Sequence, residues 1–259
     1  MSVKIRISLR SWGDKEMPVR FKAFLVHLGI SACIATLVAT LVFGVWYPFP
    51  LNAAVGATGI FALILLVDAC SGPLLTLILF VPGKKGLYFD LAMVACLQLS
   101  ALSYGLWTVA SERPAWLVFN ADRFDLVQAS AIDAQRLDQA APQYRSTPWT
   151  GPRWVGAKPS EDRELRNAMM LEAAVGGADI PHHPELYRPL EEMTDAIRAR
   201  ALPLDRLHDY NGPIPVTEVL RKWPTAVAWV PLMARLRPMT VLLDEHYRVV
   251  AIVPLDPWE

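Results

Sequence analysis

The chain has 259 residues and no formal net charge, but only 19% of its residues are charged and 53% are hydrophobic. Soluble globular domains carry about 25% charged residues. The deficit is local, because uncharged stretches of 45 and 21 residues separate Lys22 from Asp68 and Asp90 from Glu112. About 20 apolar residues suffice to cross a bilayer. The composition therefore excludes a wholly soluble protein, a disordered chain and a highly charged nucleic-acid-binding protein.

Three apolar segments, 24–47, 52–80 and 87–109, are long enough to span a membrane. The loop WYPFPLN contains two prolines, which a continuous helix does not accommodate, and VPGKKG combines turn-forming residues with two lysines. The first segment is longer than the apolar core of a signal peptide, about 7–15 residues. The sequence therefore predicts a membrane protein with three N-terminal transmembrane α-helices within residues 23–110.

Basic residues predict the orientation of these helices. The tail 1–22 contains six basic and two acidic residues, and Lys84 and Lys85 lie in the second loop. Lysine and arginine are enriched in the short loops on the cytoplasmic side of membrane proteins. We therefore expect a cytoplasmic tail at 1–22 and an exported domain at 111–259.

The exported domain is predicted to be an α+β domain with an antiparallel sheet. A hairpin is expected over 115–130 with its turn at 120–123, and the Pro- and Gly-rich segment 142–160 is expected to be an irregular loop. The predicted helices are 131–141, 160–174, 184–201 and 216–223. The predicted strands that follow are 225–232, 239–244 and 247–255, the last two forming a hairpin around 244–246.

Asp68 is the most unusual residue of the apolar segments, because a carboxylate near the middle of a span costs about 2.5–3.5 kcal/mol on insertion scales. Counted from the predicted cytoplasmic end, Asp68 lies about 12 residues deep, Gln98 about 11 and Ser100 about 13. We therefore expect Asp68 to contact Gln98 or Ser100. That contact is either a buried polar link between helices, or a proton site or a contact with a client's span.

Gly72 and Pro73 follow Asp68 by one helical turn, and a proline there removes a hydrogen-bond donor and opens the turn. This pattern can mark a transport site, but three spans without an inverted repeat favour a kink that serves packing. Nearer the predicted cytoplasmic face, Asp90 is expected to pair with His27 or with a lysine of the second loop.

The sequence contains no motif that indicates catalysis. It has no G-x-S-x-G element, no nucleophile with a paired base and no glycine-rich phosphate loop. His182 and His183 lack a neighbour at a usual zinc-ligand spacing. We therefore predict that the protein is not an enzyme and has no catalytic residue, cofactor or metal site.

Three stretches are specific when they are taken together: RFKAFLVHLGISA (20–32), VDACSGPLLTLILF (67–80) and GLYFDLAMVACLQLSALSYGLWTVASERPAWLVFNADRFDLV (86–127). In this order they resemble the TfpX/TfpZ family of type IV pilin accessory proteins, over about 20–127. The resemblance implies a multi-pass protein of the bacterial inner membrane, with its C-terminal domain in the periplasm. It also implies a role in helping a cognate pilin to mature, remain stable or enter the fibre.

A pilin before assembly is a single-span protein with a periplasmic head. The resemblance therefore implies a non-enzymatic chaperone or assembly modulator whose partners are the major pilin, the bilayer and other assembly components. The alternative is a membrane-anchored enzyme that modifies pilin or envelope glycans. In the first hairpin, Asp122, Arg123 and Phe124 are expected to contact the base of the pilin head. Alternatively, Asp122 caps the turn and Arg123 pairs with an acidic neighbour such as Asp125.

Overall fold

A computed structural model describes residues 18–258, and most of the expected basic tail, residues 1–17, lies outside the described residues. Helix α1 (Val19–Leu41) continues into a π-helical turn at Val42–Trp46, and a short helix, α2 (Leu51–Ala54), follows. Helices α3 (Ala57–Leu79) and α4 (Leu87–Ser111) come next. By length and composition, the segments Val19–Trp46, Phe61–Leu79 and Leu87–Ser111 can each cross a membrane.

The chain divides into two compact units. The first contains the described residues up to Ala35 together with Leu65–Leu102, and the second contains Thr36–Ile64 and the chain from Ser103 onward. The division predicted from sequence, at 1–22, 23–110 and 111–259, stays a prediction.

The second unit contains an eight-stranded sheet in the order β4-β3-β1-β2-β6-β7-β8, with β5 paired to β6. Its strands are β1 (Pro114–Asn120), β2 (Arg123–Gln128), β3 (Arg153–Ala157), β4 (Tyr187–Arg188), β5 (Leu202–Pro203), β6 (Ala228–Met233), β7 (Met239–Leu243) and β8 (Val249–Val253).

The sheet is mixed, so the prediction of an antiparallel sheet is wrong. Strand β3 runs parallel to β1, and β6 runs parallel to β2, while the other pairs are antiparallel. Parallel neighbours need a crossover of a dozen or more residues. Long connections precede both β3 and β6, and these give the chain the length to return in the same direction.

The α-helices that follow the first hairpin agree largely with the sequence prediction. They are α5 (Ala134–Gln139), α6 (Arg163–Ala174), α7 (Thr194–Arg200) and α8 (Pro213–Lys222). The predicted helix 184–201 is α-helical only in α7, because Pro184 and Pro189 hold the preceding chain in 3₁₀ turns and in β4. Strand β3 lies in the segment that is predicted to be an irregular loop.

The sheet is covered on both faces, which explains why β1 is buried along most of its length. Leu117 and Phe119 point into one hydrophobic cluster, and Trp116 and Val118 point into the other. Strands buried on both faces have near-continuous apolar sequences. The first hairpin, β1–β2, therefore lies in the interior of the domain, and its turn and the ends of its strands reach the surface.

Candidate functional site

A chain of polar side chains links α1, α3 and α4 within the first unit. Gln98 is at its centre, since its Nε2 donates to the main-chain oxygen of Asp68 (3.0 Å) and to Ser31 Oγ (3.2 Å). Gln98 Oε1 lies 3.0 Å from His27 Nε2, and His27 Nδ1 lies 2.6 Å from Thr76 Oγ1. We call these five residues the polar cluster.

Hydrogen-bond chemistry fixes the orientation of the Gln98 amide. A main-chain carbonyl only accepts, so the Gln98 atom beside Asp68 must be the amide nitrogen and the other atom must be the oxygen. That oxygen accepts from His27 Nε2–H. In a neutral ring, His27 Nδ1 is then an acceptor for the Thr76 hydroxyl. The neutral cluster therefore satisfies the donors and acceptors that face each other, with Ser31 and Thr76 almost fully buried.

Gly72 of α3 allows Gln98 to approach the helix main chain. A Cβ atom at this position would overlap the Gln98 side-chain amide, so only glycine fits without movement. Pro73 lies inside α3, which continues through it to Leu79. Because proline has no N–H, the carbonyl of Ala69 loses its intrahelical donor. The Gly72–Pro73 pair therefore marks the place where α3 receives a polar side chain from α4.

The predicted contact between Asp68 and Gln98 forms, but it uses the main-chain oxygen of Asp68. The Asp68 carboxylate is partly exposed and has no hydrogen bond to any residue in the described part of the chain. Ser100 takes no part, since its hydroxyl donates to the carbonyl of Cys96 (2.8 Å) in the same helix. Depth along the helix axis is predictable from sequence, whereas rotation about that axis decides which side chains face each other.

His27 and Thr76 are members of the cluster that the sequence interpretation missed. Asp90 pairs with Lys84 (2.6 Å), as one of the predicted alternatives has it, and His27 turns instead towards Thr76 and Gln98. The sequence contained a signal for these contacts, namely a histidine and a glutamine within the apolar segments. Both side chains are long enough to reach a polar group on a neighbouring helix about one turn higher or lower. The hydroxyl groups at Ser31 and Thr76 are the corresponding short partners.

The first hairpin has the predicted turn. Ala121 adopts a left-handed conformation (φ 56°), and Asp122 is exposed with its N–H bonded to the carbonyl of Asn120 (2.7 Å). Arg123 Nε lies 3.1 Å from Asp125 Oδ1, which confirms the local alternative for Arg123. Phe124, by contrast, is 0% exposed.

The Phe124 ring packs edge to face against Phe119 and Trp154, with centroid distances of 5.3 and 5.0 Å. Phe124 therefore belongs to the core and offers no surface to a partner. The exposed residues of the predicted contact are Asp122 and part of Arg123.

Asp125 is the electrostatically unusual residue of this hairpin. Its side chain is almost fully buried, and Oδ2 has no hydrogen-bond partner among residues 18–258. Burial raises the pKa of the Asp125 carboxyl to about 6, against the opposing effect of the Arg123 guanidinium. The nearby carboxylates of Asp179 and Asp122 raise this pKa further. The base of the hairpin therefore holds a proton more tightly than an ordinary aspartate does.

His183 is itself fully buried and lies in a partly exposed ionic cluster around Arg136. The Arg136 guanidinium contacts Glu172 Oε1 (2.6 Å), Glu185 Oε1 (3.2 Å) and His183 Nδ1 (2.7 Å). Within residues 18–258, no group of three or more His, Cys, Asp or Glu side chains could hold a metal ion. The guanidinium instead crosslinks α5, α6 and the segment before β4.

These observations define a class: a protein with three membrane-length helices joined by an internal polar cluster, followed by a domain built on a mixed sheet. The family described as Fimbrial assembly protein FimB matches residues 15–56. The "Fimbrial assembly protein, serogroup I" of Dichelobacter nodosus is 31% identical over 243 residues, which cover 90% of this chain and 94% of the relative.

Two further relatives come from the same organism. The serogroup E1 protein is 30% identical over the same shares of both chains, and the protein of serogroups C1 and C2 is 38% identical over 117 residues, 44% of this chain and 89% of the relative. No solved structure matches the chain significantly. The chain belongs to the family of fimbrial assembly proteins.

Proposed function

We propose that this chain is a non-enzymatic accessory factor for a type IV pilin, a chaperone or assembly modulator in the bacterial inner membrane. Its N-terminus is cytoplasmic and its C-terminal domain is periplasmic. The spans pack against the transmembrane helix of the pilin, and the domain binds the pilin head. The membership in a fimbrial assembly family supports this proposal. The choice of a type IV pilin as the partner rests on the resemblance of residues 20–127 to the TfpX/TfpZ family.

The observation that carries the proposal is the apolar outer face of α4. Phe89, Met93 and Leu97 follow each other at four-residue spacing and are all strongly exposed. Ser100 continues this face, and its hydroxyl is already bonded within the helix. Residues four apart share one face of a helix. The outer face of α4 therefore presents mainly apolar or internally satisfied groups, with the exposed Tyr104 as its polar exception. This is the surface that an apolar partner helix needs.

A photocrosslinking residue at Leu97 tests this role in native membranes that contain the pilus subunit. We expect Leu97 to capture the subunit, and a position of similar depth and exposure on α3, Leu66, to capture it much less. If neither position captures the subunit, and no other position on the spans does, the proposed helix contact is wrong.

The enzyme alternative predicts a different result. Deletion of the gene would then change the mass of the subunit or of envelope glycans. Under the accessory role, we expect fewer pili and a subunit of unchanged mass, which mass spectrometry of the purified subunit measures directly.

A further inference from the structure

A cavity of about 730 Å³ lies in the second unit beside the last strand of the sheet. Binding pockets for ligands typically have volumes of about 300–1,000 Å³. Its lining includes the consecutive residues 247–252, and the facing wall contains residues 48–51 and 150–152. Gly151 has a φ of 99°, and its missing Cβ allows it to approach the main-chain oxygen of Val45, so the two parts of this wall meet. We call this space the edge cavity.

The edge cavity follows the outer edge of β8. Side chains alternate between the two faces of a strand, so a cavity on one face would touch every second residue. Here Val249, Val250, Ala251 and Ile252 all contribute to the lining and are all partly exposed, whereas every residue of β7 is buried. Strand β8 is last in the strand order, and its outer edge pairs with no other strand within residues 18–258.

Within its five residues the edge of β8 lacks the features by which proteins usually protect exposed strands, although Arg248 and Pro254 flank it. Natural edge strands are short, or contain proline, lysine or other charged residues. Strand β4, at the opposite end of the sheet, has only two residues, Tyr187 and Arg188. Strand β8 has five residues, all of them aliphatic. An unprotected apolar edge with an open cavity beside it is the geometry that receives an additional strand.

We propose that the edge cavity binds an extended apolar segment of the pilus subunit, which pairs with the outer edge of β8. The identity of this partner rests on the proposed function. Main-chain groups of β8 hydrogen-bond to the segment, and alternate side chains of the segment enter the cavity against Trp223 and Phe49. Two charged residues line the cavity: Arg248, which Asp244 engages (3.0 Å), and Glu191, which is exposed. The rest of the lining is largely apolar, so the interior of the site favours an apolar segment.

The position of the facing wall supports a partner in the same membrane. Residues 48–51 begin two residues after Trp46, where the first membrane-length segment ends. A subunit whose helix crosses the same membrane carries its adjoining chain to the level at which this segment ends, beside the edge cavity. A soluble peptide has no such reason to arrive there.

The test uses the full chain in native membranes with the co-expressed pilus subunit. A photocrosslinking residue replaces Phe49, which is 78% exposed and lines the cavity, and a control replaces Val175, which is 76% exposed and does not line it. We expect the subunit on Phe49 at about tenfold the level on Val175, with the attachment sites in one extended segment. Capture of lipid, of a second copy of this chain or of nothing at Phe49 overturns the proposal.

Two substitutions test the same site from opposite walls. Val250→Lys places a charge on the strand edge, and Phe49→Asp changes the facing wall without touching the sheet. We expect each to lower capture of the subunit by a probe at Leu97 about tenfold at equal protein level, while Val175→Asp leaves it unchanged. If Val250→Lys fails to accumulate, Phe49→Asp alone decides. If the wild-type chain captures the subunit at Leu97 and these substitutions do not lower that capture, the edge site is refuted and the proposed function stands. If the wild-type chain captures no subunit at Leu97, the proposed function and the edge site are both refuted.

Discussion

Asp125 makes the stability of the protein depend on pH, and Asp125→Asn should remove that dependence. The folded state raises the pKa of this carboxyl from 3.8 to about 6, because the group is buried. A carboxyl with a higher pKa in the folded state binds its proton more tightly there. Folding is therefore favoured at low pH, and this contribution is lost progressively as the pH rises from about 4 to above 6.

The size of the effect follows from the two pKa values. A shift of this size corresponds to about 3 kcal/mol between the fully protonated and fully ionised states. The destabilisation from Asp125 is about 1 kcal/mol at pH 4.5 and about 3 kcal/mol at pH 7.5, a change of about 2 kcal/mol. For a chain of this size, that change corresponds to about 4–8 °C in Tm.

Thermal unfolding of the full chain in detergent, followed by tryptophan fluorescence, measures this effect. The quantity to compare is the Tm of Asp125→Asn minus the Tm of the wild type, since other titrating groups cancel in the difference. We expect the difference to rise by about 4–8 °C between pH 4.5 and pH 7.5. Asp122→Asn, which changes an exposed carboxylate on the same hairpin, is the matched control and should show no such rise. A flat difference for Asp125→Asn would refute the assignment of a raised pKa to this buried group.

Three other predictions concern the spans. Gly72→Ala places a methyl group against the Gln98 amide and should destabilise the helix bundle by about 1–3 kcal/mol. Gly29→Ala is the control and should have no such effect, because the space around its Cβ is open. Equal Tm values for the two variants in detergent would contradict the packing argument. Asp68→Leu and Asp68→Asn should accumulate to equal levels, because Gln98 bonds to the main chain at that position and not to the side chain. Selective loss of the leucine variant on immunoblots would show that the carboxylate has a partner of its own. A periplasmic reporter fused after Glu259 should be active and one at Lys84–Lys85 inactive, and the reverse pair of activities would overturn the orientation.

The sequence was sufficient for the three long apolar helices and for the first hairpin, because both depend on local signals. Uncharged runs longer than a bilayer predict helices, and the polar turn between two apolar runs predicts the reversal at 120–123. Strand β3 was missed because its five residues lie among prolines and glycines that indicate a loop. Its stability comes from pairing with β1, which is far away in sequence, and no local signal contains that pairing.

The polar cluster was predictable in its parts and not in its geometry. Asp68, Gln98 and the Gly72–Pro73 pair are each unusual for a span, and their depths agree. Helix rotation decides which groups form the hydrogen bond: the side chain or the main chain of Asp68, and the side chain of Gln98 or of Ser100. That rotation follows from the packing of all three helices, which the spacing of a few residues does not determine.

If the chain assists a pilus subunit as proposed, the pairing inside the polar cluster affects how that subunit is selected. The polar groups of His27, Thr76 and Gln98 are engaged with one another, and Ser100 is bonded within its own helix. The outer face of α4 thus offers shape and apolar surface, and such surfaces discriminate weakly among helices, since lipid tails are as apolar as leucine. Discrimination requires groups that a wrong partner leaves unsatisfied. In the proposed edge site, the open main chain of β8 provides such groups. Selection of one subunit over another should then depend on the sheet domain more than on the three long apolar helices.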